Sequence, residues 1–138
     1  MSKHTVAIEK YQPEQSSVAK AVEAASAFEH LPANAKVVIK PNIVFWTRLV
    51  DFPKWGVITT SKVMEEVVKL LRDHGVNDIT IAEGIVTNKP NDSETPAHAF
   101  ESLGYNKLKE RYGVNPVNVF DRPFEAVDLG KGIELNFN

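Results

Sequence analysis

The chain has 138 residues, of which 43% are hydrophobic and 25% charged, and its formal net charge is −2. That length suits one domain with a sizeable core, and that balance excludes a disordered chain. The 16 lysines and arginines form no block, so there is no nucleic-acid footprint, and the absence of cysteine removes any disulfide, zinc–thiolate or iron–sulfur ligand from this sequence.

The first residues, "MSKHTVAIEK", contain no signal-peptide apolar region, and no run approaches the roughly 18 apolar residues of a membrane span. A cytoplasmic protein without a membrane segment is the expectation. Residues 5–10, "TVAIEK", alternate, with Val6 and Ile8 on one side, and predict a short strand. Pro13 and Glu14 then suit the first turn of a helix. Val18, Val22, Ala25 and Phe28 continue at helical spacing and predict a helix to about Leu31. Pro32 and Asn34 break it.

"KVVIKPNIVFW" opens as a buried strand, with Val37, Val38 and Ile39 in an unbroken run. Lys40, Pro41 and Asn42 then stand where the strand should end. A helix follows after a long loop. Val63, Val67, Leu70 and Leu71 form its apolar face, with Met64 and Val68 beside them. Thr60 or Ser61 suits its cap, and Gly75 sits at the left-handed position after its end. Residues 78–84, "DITIAEG", predict the next strand, with Ile79 and Ile81 on one face. Thr95 and Pro96 read as a cap and first position of a short helix that Gly104 stops. "NKLKERYG" predicts another helix, closed by Gly113, and "PVNVF" a strand. "FEAVDLGKGIELNFN" alternates around residues 130–132 and predicts a hairpin.

Strands separated by such helices imply parallel pairing through right-handed crossovers. The expected class is α/β: one domain over residues 1–138, with a mainly parallel open sheet, helices on both faces in three layers, and a C-terminal antiparallel hairpin. Ile133, Leu135 and Phe137 alternate to the last residue, which predicts an open edge: either this sequence is one part of a larger design, or a partner covers the edge.

In open α/β sheets, ligands bind beyond the carboxyl ends of the strands. This sequence puts Lys40, Pro41 and Asn42 after one strand, Glu83 and Gly84 after the next, and Thr59, Thr60 and Ser61 at the helix start between them. A helix N-terminus attracts carboxylate or phosphate. Lys40 adds a full charge, Asn42 donates and accepts, Pro41 ends ladder pairing, and Gly84 lets a ligand approach the backbone. Glu83 could hold a ligand hydroxyl, bridge to a metal or act as a general base. The plainer readings are a strand-ending turn, a helix cap and a surface ion pair between Lys40 and Glu83. The candidate ligand-binding residues are Lys40, Asn42, Thr59, Thr60, Glu83 and Gly84.

Residues 43–58 are long for a structureless loop and hold both tryptophans, with Phe45, Phe52 and Arg48. The loop is a lid over the rim or a surface that packs on another domain or subunit. Trp46, Phe52 and Trp55, with Leu135 and Phe137, are the candidate interface residues. The four histidines have no metal-ligand spacing, so no metal site is expected, and there is no P-loop, GxGxxG or GxSxG pattern.

"VVIKPNIV", "TTSKVMEEVVKLLRDHGVNDITIAEG", "AFESLGYNKLKERYGVNPVNVFD" and "FEAVDLGKG" together resemble the N-terminal half of a prokaryotic family, domain of unknown function three-six-two. The order of segments is specific, although each motif alone is weak. The resemblance implies a link to ferredoxin-like iron–sulfur modules, hence to redox chemistry, without an assigned activity. The positions it shares are Lys40, Pro41, Asn42, Thr59, Thr60, Glu83 and Gly84. It also implies a longer domain with a further "K-x-K-x-H" segment, so this sequence reads as truncated. Lys62 stands where the family often has proline, and the family's iron–sulfur cysteines are absent. Two functions follow as expectations. One is binding of an anionic small molecule at the rim, as part of a redox system. The other is a non-catalytic interaction module that forms a homodimer or docks on a redox partner. A stand-alone enzyme using Glu83 or Lys40 is a third reading, which the missing segment disfavours.

Overall fold

The computed structural model describes residues 5–12, 16–49, 56–87, 89 and 92–121. In chain order the elements are α1 (Ser17–Ala24), β1 (Lys36–Ile39), α2 (Ser61–Asp73), β2 (Asp78–Glu83), α3 (Glu94–Ser102), α4 (Tyr105–Tyr112) and β3 (Asn115–Asn118), then a 3-10 turn over Val119–Asp121. The strands form one open sheet in the order β1-β2-β3, and both pairings are parallel. The fold is α/β, as alternation of strand and helix requires. Pro116 lies in β3, an edge strand of this sheet, where a missing donor is tolerated. The expected C-terminal hairpin lies outside the described residues.

Register sets the core face. Val37 pairs with Ile79 and Ile39 with Ile81, so their side chains share one side of the sheet. Ile79 and Ile81 are buried, while Val38, on the other side, is 67% exposed. α2 buries Met64, Val68 and Leu71, a stripe at three- and four-residue spacing. Val76, Ala99, Phe100, Leu103, Tyr105, Leu108 and Val114 join the same cluster, as do Ile43, Trp46, Ile58 and Ile85. The helices pack in series, α1 on α2, α2 on α4 and α4 on α3. Glu65 of α2 accepts from Tyr112 Oη at 3.0 Å and pairs with Arg111, which ties α2 to α4.

Helix ends follow local chemistry, with some departures from expectation. Gly75 takes φ +97°, with its N–H on Arg72 and that of Val76 on Leu71, so α2 ends as its sequence predicts. α1 stops at Ala24, well before Leu31. Ser26 takes φ +49°, and its N–H and that of Ala27 bond to the carbonyls of Glu23 and Val22, the same double closure without glycine. Pro13 and Glu14 lie outside the described residues. α3 begins at Glu94, so Thr95 and Pro96 are inside it. Asp92 supplies the cap, accepting from Thr95 N at 2.9 Å and Thr95 Oγ1 at 2.7 Å. Val119 and Phe120 leave β3 for the 3-10 turn.

Residues 5–10 correct a further expectation. They form no strand, and Val6 and Ile8 are 83% and 92% exposed. Alternation makes a segment fit to pair, but does not by itself pair it, even though β1 has an open outer edge among the described residues.

Candidate functional site

β1 and β2 part at Ile39 and rejoin at a single parallel bridge, Phe45 with Val86. Val86 N–H donates to Val44 O at 2.8 Å to close it. Between these points the chain makes an excursion through Lys40, Pro41, Asn42, Ile43 and Val44, five residues against Ala82, Glu83, Gly84 and Ile85 on the other side. Pro41 starts it because an imide nitrogen cannot continue the ladder. Ile43 is fully buried and anchors it. Val44 turns with φ +60°, a conformation that costs a β-branched residue on the order of 1–3 kcal/mol.

Glu83 organises this end of the sheet. It is the last residue of β2, and strand alternation turns it to the same side as Ile79 and Ile81, where it is 5% exposed. Its Oε2 accepts from Lys40 Nζ at 2.9 Å and from the Ile43 N–H at 3.2 Å. Its Oε1 accepts from the Gly84 N–H at 2.9 Å. Lys40 also donates to Pro41 O at 3.2 Å, so two of its three donors are engaged while its side chain remains 67% exposed.

Asn42 and Thr59 bind each other twice. Asn42 N–H donates to Thr59 Oγ1 at 2.9 Å, and Thr59 N–H donates to Asn42 O at 2.9 Å. Asn42 Nδ2 donates to Val57 O at 2.9 Å. These bonds hold the start of α2 against the excursion. Thr60 occupies the N-cap of α2, extended at φ −71° and ψ 152°, but makes no side-chain capping bond, and the first turn holds no acidic residue. The structure therefore brings together Lys40, Asn42, Thr59, Thr60, Glu83 and Gly84 along the carboxyl ends of β1 and β2.

Their roles divide. Thr59 and the Asn42 backbone spend their hydrogen bonds on each other, while the Asn42 side chain donates from Nδ2 to Val57 O. Gly84 has a packing reason to lack a side chain: a Cβ there would stand 2.9 Å from Val119 Cγ2 and 3.1 Å from two ring carbons of Phe120. The Lys40 ammonium, the exposed Asn42 side chain and the first turn of α2 face outward.

Trp46 is not a surface residue. It is 3% exposed, and its Nε1 donates to His98 Nδ1 at 2.9 Å. That fixes the His98 proton on Nε2. Arg48 pairs with Glu94 at 2.6 Å and donates from Nε to Thr95 Oγ1 at 3.2 Å, so the chain after β1 is fastened to the start of α3. Phe52, Trp55, Leu135 and Phe137 lie outside the described residues.

Sequence reasoning passed over Tyr105. It is fully buried at the start of α4, and its hydroxyl has no hydrogen-bond partner among the described residues. Burial, and then the nearby Glu83 carboxylate, push its phenol well above its ordinary range. The signal available was a tyrosine directly after a helix-stopping glycine. Among the described residues, no group of three or more His, Asp and Glu is placed to hold a metal ion, and no helix is long and apolar enough to cross a membrane.

The model of a family named only as a domain of unknown function, DUF362, matches residues 37–137. This chain belongs to the DUF362 family. Searches of curated proteins and of solved structures find no match. The family match begins inside β1, so every candidate rim residue of this DUF362 chain falls within it, from Lys40 to Gly84. Residues 5–10 and α1 precede it.

Proposed function

We propose that this DUF362 domain binds an anionic small molecule at the carboxyl rim of its sheet, between Lys40 and the first turn of α2. The observation that carries the reading is the open start of α2. A 13-residue helix begins there with no side-chain cap and no acidic residue in its first turn. Its leading N–H groups and partial positive charge suit a carboxylate or phosphate oxygen.

Lys40 supplies the full charge. In the absence of anion, Glu83 neutralises it, which lets an ammonium stand beside a helix N-terminus without repulsion. An arriving anion takes the remaining Lys40 donor and shares the charge with Glu83. Such a site is partly exposed, so its affinity is modest and falls with salt. Asn42 and Thr59 position the two halves of the site.

Docking on a redox partner or a second copy is the competing reading. It rests on the alternating C-terminal residues and on the aromatic loop, of which Trp46 is already covered by this chain's own core.

Thermal melting in rising inorganic phosphate, acetate and nucleotide tests the proposal. Binding to the folded state alone raises stability by about 2.7 kcal/mol at a hundred times Kd. At least one anion should raise the melting temperature, and Lys40→Ala should abolish the rise. Thr60→Asp, which places a carboxylate at the helix start, should stabilise the free protein and weaken the anion. A melting temperature that no anion moves would overturn the reading.

A further inference from the structure

Two unpaired features face the same need. Residues 5–10 alternate like a strand yet leave Val6 and Ile8 at 83% and 92% exposure. β1 has one neighbour, β2, so its outer edge carries unpaired backbone groups among the described residues. An open edge beside a strand-forming segment is a template for pairing.

The position of α1 connects the two. Parallel strands in one sheet are joined by right-handed crossovers, and in this sheet α2 makes that crossing from β1 to β2. A strand on the outer edge of β1, leading into β1 by the same hand, puts its crossover helix beside α2. α1 packs there. It occupies the place of a crossover helix whose entering strand is unpaired.

Polarity agrees. A parallel strand on β1 must reach the carboxyl rim at its C-terminal end. The chain just past residue 10 is held there. The Lys62 ammonium, in the first turn of α2, lies 5.9 Å from the centre of the Tyr11 ring. Gln12 N–H donates to Ser17 Oγ at 2.9 Å, and that hydroxyl donates to Lys10 O at 3.3 Å.

We propose that the outer edge of β1 is a strand-acceptor site and that residues 5–10 of the same chain dock on it as a fourth parallel strand. Val6 and Ile8 then continue the apolar side formed by Val37 and Ile39. The described form is the undocked one.

The natural lack of cysteine makes trapping clean. In the full-length chain, Ile8→Cys is combined with Val37→Cys or with Ile39→Cys, and Ala7→Cys with Val38→Cys. A disulfide requires Cα atoms within about 7 Å. At least one pair should oxidise within the monomer, faster than a control pair of Ile8→Cys with Lys109→Cys on α4. No pair outrunning the control, or a disulfide-linked dimer, overturns the proposal; the dimer would assign the edge to a second copy. Amide hydrogen exchange on the same full chain gives a second readout. Val6→Lys with Ile8→Lys should speed exchange of the outward amides of β1 by about tenfold or more. Unchanged protection in that variant would show that another segment, such as residues 122–138, covers the edge, and would also overturn it.

Discussion

Lys40 and Glu83 meet at 2.9 Å across the end of the sheet, yet the lysine side chain is 67% exposed and the glutamate side chain 6%. The pair is therefore unequal. Water can replace much of what Lys40 gives, whereas Glu83 also receives the Ile43 and Gly84 N–H groups. Removing the glutamate leaves a buried backbone donor without an acceptor, at a cost of about 1–3 kcal/mol beyond the pair itself. Removing an exposed lysine costs about 1 kcal/mol or less. Urea unfolding of Glu83→Ala and Lys40→Ala should show the glutamate variant as clearly the weaker of the two. Equal losses would mean that the ion pair, and not the backbone contacts, holds the excursion.

Gly84 separates a ligand reading from a packing reading. A methyl group there would press on Val119 Cγ2 at 2.9 Å and on the Phe120 ring at 3.1 Å. Overpacking of this kind costs roughly 1–3 kcal/mol. Gly84→Ala should lower stability by that amount, and Val119→Ala in the same chain should recover part of it, since the nearest clash is then gone. A double-mutant cycle measures the coupling. If the two changes simply add, Val119 is not what limits the space.

The parts of this fold that were legible in the sequence are those where one signal decides. Ile79 with Ile81, and the stripe through Met64, Val68 and Leu71, each have one structure that buries them, whereas the unbroken run Val37 to Ile39 reads as a buried strand and yet leaves Val38 67% exposed. Gly75 has one conformation it serves best. The rim was legible because chain order and strand polarity place it before any side chain is considered. What the sequence withheld is which way a group faces and what it spends its bonds on. An aromatic loop is equally good material for a surface or a core, and Trp46 went to the core because His98 could take its N–H. The Thr59 hydroxyl looked like a ligand donor and is taken by the Asn42 N–H, and the Asn42 amide gives a donor to Val57 O. Ser26 ends α1 in a conformation usually left to glycine, which no propensity marks. Residues 5–10 have the pattern of a strand, and pattern alone does not supply a neighbour.

The start of α3 carries an acid-sensitive contact. Thr95, through its hydroxyl and then its N–H, holds the Asp92 carboxyl below the ordinary value of 3.8, and Arg48 adds to this. The sign follows from linkage. A carboxyl whose folded pKa is depressed releases its proton more readily in the folded chain, so its contribution is present above 3.8 and is lost as pH falls below it. Asp92→Asn should therefore flatten the acid limb of the stability profile, measured by melting between about pH 2 and pH 6, while the wild type steepens there. Parallel profiles for the two proteins would show that Asp92 ionises in the folded chain as it does in the unfolded one.

Tyr105 provides the sharpest test of the buried end of the rim. Its ring packs 5.5 Å from that of Phe100, and its hydroxyl is buried with no partner among the described residues. A buried hydroxyl without a partner lowers stability relative to no hydroxyl at all. Tyr105→Phe keeps the ring and should leave stability unchanged or raise it by about 1 kcal/mol. A loss of that size instead would mean that the hydroxyl is bonded in solution, with a water between it and Glu83 as the simplest bridge. Alkaline pH reads the same group by a separate route. The phenol is pushed up from its ordinary value of 10.0 by burial first and by Glu83 second. The unfolded chain ionises there before the folded one does, so stability is unaffected below pH 10.0 and falls as pH rises beyond it. Tyr105→Phe removes that dependence. Its alkaline unfolding midpoint should lie above that of the wild type, and a coincident midpoint would show that Tyr105 ionises in the folded chain as readily as it does in water.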